Sequence, residues 1–449
     1  MVTTEGAVAT TPTQRPVEAL QALVRIPTVS HPDPGRIDVA AFERFGAELA
    51  RRYPQVHALE HVAIARHGLL VRWPGRSAER PVVLMAHLDV VPVADDGAGW
   101  THPAFGGDLV DEAVWGRGTL DDKGQLVAVC EAVESLLERG FVPSYDVWLS
   151  FGCTEEVAGD GALAAVAELT ARGVRPWFVL DEGGAVAHDA FPGVSAPVGV
   201  VGVSEKGTTS VELRVEGRGG HASTPARRGP TARIARAITR LDASAMPSRL
   251  PEPTVELFRR MAPHAPLPLR ALMSRADRLA PVLTRALVLA GPESAAMTRT
   301  TFAVTTLSGS PALNVVAQTA RAGVNIRVMV GDTVEDALAH LRRVIDDDQV
   351  HVDVVDASEP SPVSPRDEAF DLLAATIEEV FPDAVAAPYV MMAGTDSRFF
   401  TTICDRVYRF APFRMTKAQR ESIHSYDEHL RVQDLLDGVR WYSRLLESL

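Results

Sequence analysis

Cysteine is scarce in this chain. Only Cys130, Cys153 and Cys404 occur in 449 residues. Their odd number and the absence of any CxxC spacing exclude a disulfide framework and a compact thiolate metal cage. Reduced thiols in a cytoplasmic setting are the expectation. Aromatic residues make up 6%, and positive charge is outweighed, with 45 Lys and Arg against 58 Asp and Glu for a formal net charge of −13. A surface of that sign repels phosphate backbones and anionic headgroups, so neither nucleic acid nor a membrane is expected as a partner. Long apolar runs are also missing. The most apolar helical stretch, 279–290, is interrupted by Arg285 and falls short of the ~20 residues that cross a bilayer. Residues 1–16 are polar and carry no apolar stretch of the secretory type.

What is present is the material of a folded protein, with 46% hydrophobic and 23% charged residues. A single core stops growing near roughly 250–300 residues, so two domains are expected. Helical spacing of apolar residues marks 16–26 and 39–51, with prolines between them. Short apolar runs at 81–86, 146–151 and 177–180 read as buried strands, alternating with helices at 125–139 and 162–172. That alternation argues for an α/β fold with a mainly parallel sheet covered on both faces. After Ser204 the pattern changes. Residues 208–215 alternate as a half-buried strand does, followed by a helix at 231–241, a Pro-rich stretch, a strand at 321–330, a helix at 334–345 and a strand at 350–355. We expect 1–204 and 359–449 to form one domain and 205–358 an inserted, smaller α+β unit of ferredoxin-like type.

Clusters of His, Asp and Glu recur where the predicted strands end, which is where open α/β sheets hold their ligands. They are His87-Leu88-Asp89, Asp121-Asp122 after a Gly-rich turn, Thr154-Glu155-Glu156, Asp181-Glu182, and the distant His424 in Ile423-His424-Ser425. A paired-metal site needs neutral imidazoles and carboxylates at one point, with a carboxylate able to bridge. Adjacent strand residues face opposite ways, so one of Glu155 and Glu156 can ligate while the other faces substrate. Each cluster alone has a plainer explanation, because an isolated HxD is more often a turn or a core histidine and paired acids are usually a solvated face. Their coincidence in one α/β unit is what favours a metal site.

In this order the clusters resemble the aminoacylase, desuccinylase and glutamate carboxypeptidase family of metallopeptidases. The matching segments are His-Leu-Asp-Val-Val-Pro from His87, Gly-Arg-Gly-Thr-Leu-Asp-Asp-Lys-Gly from Gly116, Thr154-Glu155-Glu156, Leu180-Asp181-Glu182-Gly183-Gly184, Gly219-Gly220-His221-Ala222-Ser223 and Ile423-His424-Ser425. Gly394-Thr395-Asp396-Ser397-Arg398-Phe399-Phe400 and Tyr408-Arg409-Phe410 look closest to the carboxypeptidase S branch. The resemblance implies a zinc-exopeptidase-like domain with a lid that also dimerises, and two Zn2+ per subunit for which Co2+ or Mn2+ can substitute. It assigns His87 and Asp181 to one metal, Glu156 and His424 to the other, and Asp121 to both. Glu182 is the alternative to Asp181. Asp89 would orient His87, and Glu155 would be the general base. His221 would donate to the oxyanion, often from the other subunit of a dimer.

The implied activity is hydrolysis of an amide bond next to a free carboxylate, by a carboxypeptidase, a dipeptidase or an N-acyl-amino-acid hydrolase. A small molecule or peptide with that carboxylate is the expected partner. Arg398, Gly394 and Thr395 resemble the family's carboxylate clamp, and Asn314 and Arg327 resemble lid positions that reach the substrate. A guanidinium suits a carboxylate because it binds both oxygens. Arg327 also reads as a solvated residue of an edge strand. Two other readings stand beside this one: a biosynthetic N-acetyl or N-succinyl amino acid deacylase, and a metal-free binding protein of the same fold.

Overall fold

The computed structural model describes residues 14–157, 159–191, 193–225 and 227–449. The reading of the polar N-terminus falls almost wholly on residues 1–13, outside these described residues. The main sheet has ten strands. From one edge they run Glu60–Ala63, Leu69–Trp73, Tyr145–Gly152, Ser77–His87, Phe178–Asp181, Val407–Arg409, Val198–Glu205, Ala185–Ala187 and Arg414–Met415, with Val385–Met391 also paired to Val198–Glu205. Tyr145–Gly152, Ser77–His87, Phe178–Asp181 and Val407–Arg409 are mutually parallel. The flanking pairs with Leu69–Trp73 and Val198–Glu205 are antiparallel.

The central strands are apolar without alternation because helices cover both faces. Val82 to His87 is buried residue by residue. The helix Lys123–Glu138 is buried almost all round, held between the sheet and the helices Arg15–Val24 and Val432–Glu447. On the other face Asp160–Ala171 sends Ala162, Ala165 and Leu169 onto Met85 and Trp148.

The smaller unit has the chain order strand, helix, strand, strand, helix, strand of a ferredoxin-like module; the strand Thr301–Ser308 was not marked by the sequence pattern, which ran strand, helix, strand, helix, strand. Its four-stranded antiparallel sheet is ordered Thr301–Ser308, Thr319–Val328, Gly207–Glu216, His351–Ala357. Gly207–Glu216 alternates buried and half-buried residues nearly throughout, because one face packs Val211, Leu213 and Val215 against the helices Pro230–Asp242 and Val334–Ile345. The helix Val334–Ile345 begins with a capping box in which Thr333 and Asp336 satisfy each other's backbone amides.

The irregular Pro-rich region folds into the short helices Glu252–Met261, Leu267–Met273, Ala280–Ala290 and Pro292–Ala296. Counted by chain continuity it belongs to the inserted unit. In space it packs on the main sheet, because Leu257, Phe258 and Met261 bury themselves with Val198 and Ala387. The 205–358 boundary drawn from the sequence therefore joins two bodies of structure, a lid sheet and a helical buttress.

Candidate metal centre

The site lies at the carboxyl ends of the parallel strands. His87 ends Ser77–His87, Glu155 and Glu156 follow Tyr145–Gly152, Asp181 ends Phe178–Asp181, and Asp121 stands in the turn before Lys123–Glu138. His87 Nε2 is 2.8 Å from Asp121 Oδ1. His424 Nε2 is 3.0 Å from Asp121 Oδ2 and 3.1 Å from Glu156 Oε2. Asp121 thus offers one oxygen to each histidine, which is the posture of a bridging carboxylate. Donor atoms of His87, Asp121 and Glu156 all lie within 4.8 Å of one another. Imidazole nitrogen with carboxylate oxygen is the donor set that suits a borderline divalent cation, so these residues fit a metal site.

Buried acids fix the donors from behind. Asp89 is fully buried and accepts from the amides of Glu155 and Glu156, at 3.2 Å on each oxygen. Its backbone carbonyl also lies 3.0 Å from His87 Nδ1, which leaves Nε2 for the metal side. Two further acids to which the sequence reading assigned no role at the centre act in the same way. Asp122 accepts from the His87 amide at 3.1 Å. Glu428 accepts from the amides of Gly118, Leu120 and Asp121 and pairs with Arg117 at 2.7 Å, fully buried. The only hint of Glu428 was its place in the run that begins at His424. Lys123 ties the same turn to the end of the first helix through the carbonyls of Leu23 and Ile26.

The adjacent pair Asp181 and Glu182 divides its work. Asp181 spends one oxygen on the Glu182 amide at 2.9 Å and the other on the Ser397 amide at 2.8 Å. The Glu182 side chain has no hydrogen bond among the described residues, and it sits among the charges of Asp121, Asp122 and Glu155. Both oxygens of Asp181, the first choice by sequence, thus accept backbone amides, whereas the Glu182 carboxyl lies within the field of Asp121 and Glu155.

Electrostatics reflects this crowding. Burial pushes the Glu155 carboxyl well above its ordinary range, and the neighbouring charges of Asp396, Asp121 and Glu156 add to the rise. Hydrogen bonds to Asp121 and Glu156 raise His424 to about 10. For His87, burial opposes the charged ring, but Asp121 and Asp89 outweigh it and the pKa is raised. Protons thus serve as counter-ions to the carboxylates.

The candidates for substrate contact form two groups. Arg327 Nη1 donates to Thr208 Oγ1 at 2.9 Å and its Nε to Asn325 Oδ1 at 3.1 Å. It lies on an inner strand of the lid sheet and not on an edge. Arg398 Nη1 donates to the Thr395 carbonyl at 2.7 Å. A Cβ added to Gly394 would lie 3.7 Å from Arg398 Nη1 and 4.0 Å from Thr208 Oγ1, so these cations and the bare Gly394 backbone meet where the lid joins the main domain. The junction is pinned by the buried Glu205, which takes the Thr395 amide and hydroxyl and pairs with Arg409 at 3.0 Å. Neither Glu205 nor Arg409 was assigned a role from the sequence. His221 and Asn314 form the second group. They adjoin on the exposed ribbon of Gly220–His221 and Val315–Val316, with Ala222 N donating to Asn314 O at 3.1 Å. Among the described residues of this chain, neither has a hydrogen bond to the metal centre.

The sequence pattern of peptidase family M20/M25/M40 matches residues 83–448. A probable carboxypeptidase S-like 2 of Dictyostelium discoideum is 35% identical over 91% of this chain and 79% of its own. The human N-fatty-acyl-amino acid synthase/hydrolase PM20D1 is 33% identical over 96% of this chain and 87% of its own. An M20 family metallo-carboxypeptidase of Sulfolobus solfataricus shares the fold, with a TM-score of 0.69 at 16% identity over 96% of this chain and 98% of that one. The chain belongs to peptidase family M20/M25/M40. It is a metal-dependent hydrolase of amide bonds next to a free carboxylate.

Metal ligation requires both imidazoles neutral, whereas the neighbouring carboxylates raise the pKa of His87 and bring that of His424 to about 10. Metal uptake therefore releases protons and tightens as pH rises from 6 to 8. Calorimetry in buffers of different ionisation enthalpy is expected to show net proton release, and zero release would contradict this charge state.

Proposed function

We propose that this chain is a dinuclear zinc hydrolase of N-acyl amino acids, taking the free carboxylate at the lid junction and the amide at the metal centre. The observation that carries the proposal is Asp121, set between His87 and His424 with Glu155 beside it. His87, Asp121, Glu156, His424 and Glu182 would hold the metals, with Co2+ or Mn2+ able to replace zinc. When bound, such a pair polarises the scissile carbonyl and lowers the pKa of water toward ~7. Glu155, held by its amide on Asp89, takes the proton from the attacking water and returns it to the leaving amine. Its upward shift from burial suits that double role, because a base works best with a pKa near the working pH. Arg327 and Arg398 receive the carboxylate, with Gly394 leaving room and Thr395 fixed on Glu205.

His221 acts in this reading as oxyanion donor to a second copy of the chain, because it stands exposed on its ribbon and has no hydrogen bond to its own chain's metal centre among the described residues. A homodimer through the lid is supported by exposed apolar residues there: Leu307 on its edge strand, Val355 on the opposite edge and Leu313 beside Asn314. Among the described residues no helix is long and apolar enough to cross a membrane. The three cysteines are buried and unbridged, which agrees with a cytoplasmic setting. A peptide C-terminus is the second substrate reading, favoured by the carboxypeptidase S-like relatives. Short-chain deacylation uses the same centre. A metal-free binding protein would have no use for Glu155.

Glu155→Gln is expected to keep its metal and lose about 10²–10⁴-fold in turnover. Glu182→Gln is expected to lose metal where Asp181→Asn keeps most of it; elemental analysis giving the reverse order would return the ligand role to Asp181. Assay of N-acyl amino acids against their carboxamides tests the substrate class, and equal kcat/KM on both would remove the carboxylate requirement. Mixing His221→Ala with Glu155→Gln, each nearly inactive, is expected to restore activity through mixed dimers; no recovery would place His221 outside the partner's site.

A further inference from the structure

The order of the main sheet gives the substrate a direction. The metal centre lies over Tyr145–Gly152, Ser77–His87 and Phe178–Asp181, and the carboxylate-binding cations gather beyond it, at the Glu205 end of Val198–Glu205. On the opposite flank, past Tyr145–Gly152, is a cleft of about 250 Å³. Pro34, Ile37, Val39 and Phe42 line one side of it and Cys153 and Thr154 the other. Thr154 immediately precedes Glu155 and Glu156, so the cleft adjoins the segment that carries the general base.

The polar groups around this cleft are engaged elsewhere. Arg66 Nε is 3.1 Å from Asp160 Oδ2, and the Thr154 hydroxyl bonds the other oxygen of Asp160. The His67 ring stacks on Phe42 with centroids 5.5 Å apart. The Cys153 thiol faces the Ala65 carbonyl at 3.7 Å. What remains toward the space is mostly carbon, including Val39, which is 48% exposed in the first turn of its helix. A mostly apolar cleft that reaches the chain next to Glu155, with Arg66 and Thr154 turned to Asp160, suits an apolar part of the ligand.

We infer that this cleft is the subsite for the acyl chain of the substrate, seated against Ile37, Val39 and Phe42. The inference rests on the N-acyl-amino-acid reading above and names its chain as a medium to long alkyl group. A carboxylate on the Arg327 and Arg398 side and a scissile carbonyl at the centre leave the acyl chain to run toward the Tyr145–Gly152 flank. Each methylene that enters adds roughly fourfold to kcat/KM, which is ~0.8 kcal/mol per buried CH₂.

The test is an acyl series, from acetyl to dodecanoyl on one amino acid, assayed with the metal-loaded full chain. Ile37→Trp fills the cleft, and Val39→Glu places a charge in it at an exposed position that the fold tolerates. The ratio of kcat/KM for dodecanoyl over acetyl substrate is expected to fall at least tenfold in both variants, and Val39→Leu is expected to keep the wild-type ratio. An unchanged ratio in active Ile37→Trp and Val39→Glu proteins, or an equal loss on both substrates, overturns the subsite alone. Failure of the wild type to cleave any member of the series removes the substrate reading itself and the subsite with it.

Discussion

The structure depends on the repulsion among carboxylates gathered at one end of its main sheet. Asp121, Asp122, Glu155, Glu156 and Glu182 stand in one another's fields, partly or wholly removed from water, with only His87 and His424 to offset them. Like charges in a poorly solvated site raise one another's pKa values and call for a counter-cation. A divalent ion meets that demand far better than protons do, because it leaves the carboxylates ionised as ligands. Charge crowding that would weaken an ordinary core is thus the affinity of a metal centre.

Such a cluster keeps its shape only if its backbone is held independently of the metal. Asp89 secures the Glu155 and Glu156 amides, Asp122 the His87 amide, Glu428 the turn around Asp121, and Asp181 the amides of Glu182 and Ser397. Each is a buried acid accepting from backbone N–H groups, joined at Glu428 by the Arg117 guanidinium, an arrangement that compensates the lost hydration of the charge. The same logic reappears at the lid junction, where Glu205 joins Thr395 to Arg409. The residues of the centre are thereby held to the main domain, with Arg398 beside the buried Glu205–Arg409 pair and Arg327 reaching the junction from the lid sheet.

Much of this was legible in the residue order. The alternation of apolar runs and helices announced the α/β domain, and the helix over Val334–Ile345 is where the spacing puts it. His87, Asp121 and Glu156 could be named as candidates because each falls at a strand end or a glycine turn, whereas His424 was reached only through the resemblance of Ile423-His424-Ser425 to a family motif. Glu205 and Glu428 escaped because an acid that binds backbone amides has no spacing signature; its partners are peptide groups far along the chain. The Pro-rich stretch entered the 205–358 unit by chain order alone, since nothing in its spacing tells that its helices cover the main sheet.

The sequence by itself determined the class of chemistry, since imidazole and carboxylate at strand ends are fixed by residue type and by the two-residue and 3.6-residue periods of the backbone. Tertiary structure decided what surrounds each of two adjacent acids. Asp181 and Glu182 differ by a single step along the chain, and only the fold brings the amide of Ser397 to Asp181 and the charges of Asp121 and Glu155 near Glu182. It also decided that His221 sits on an exposed two-stranded ribbon without a hydrogen bond to the metal centre among the described residues. Contacts between distant segments choose among residues that local rules leave equivalent, because burial and hydrogen-bond partners are properties of the folded chain and not of the order of its residues.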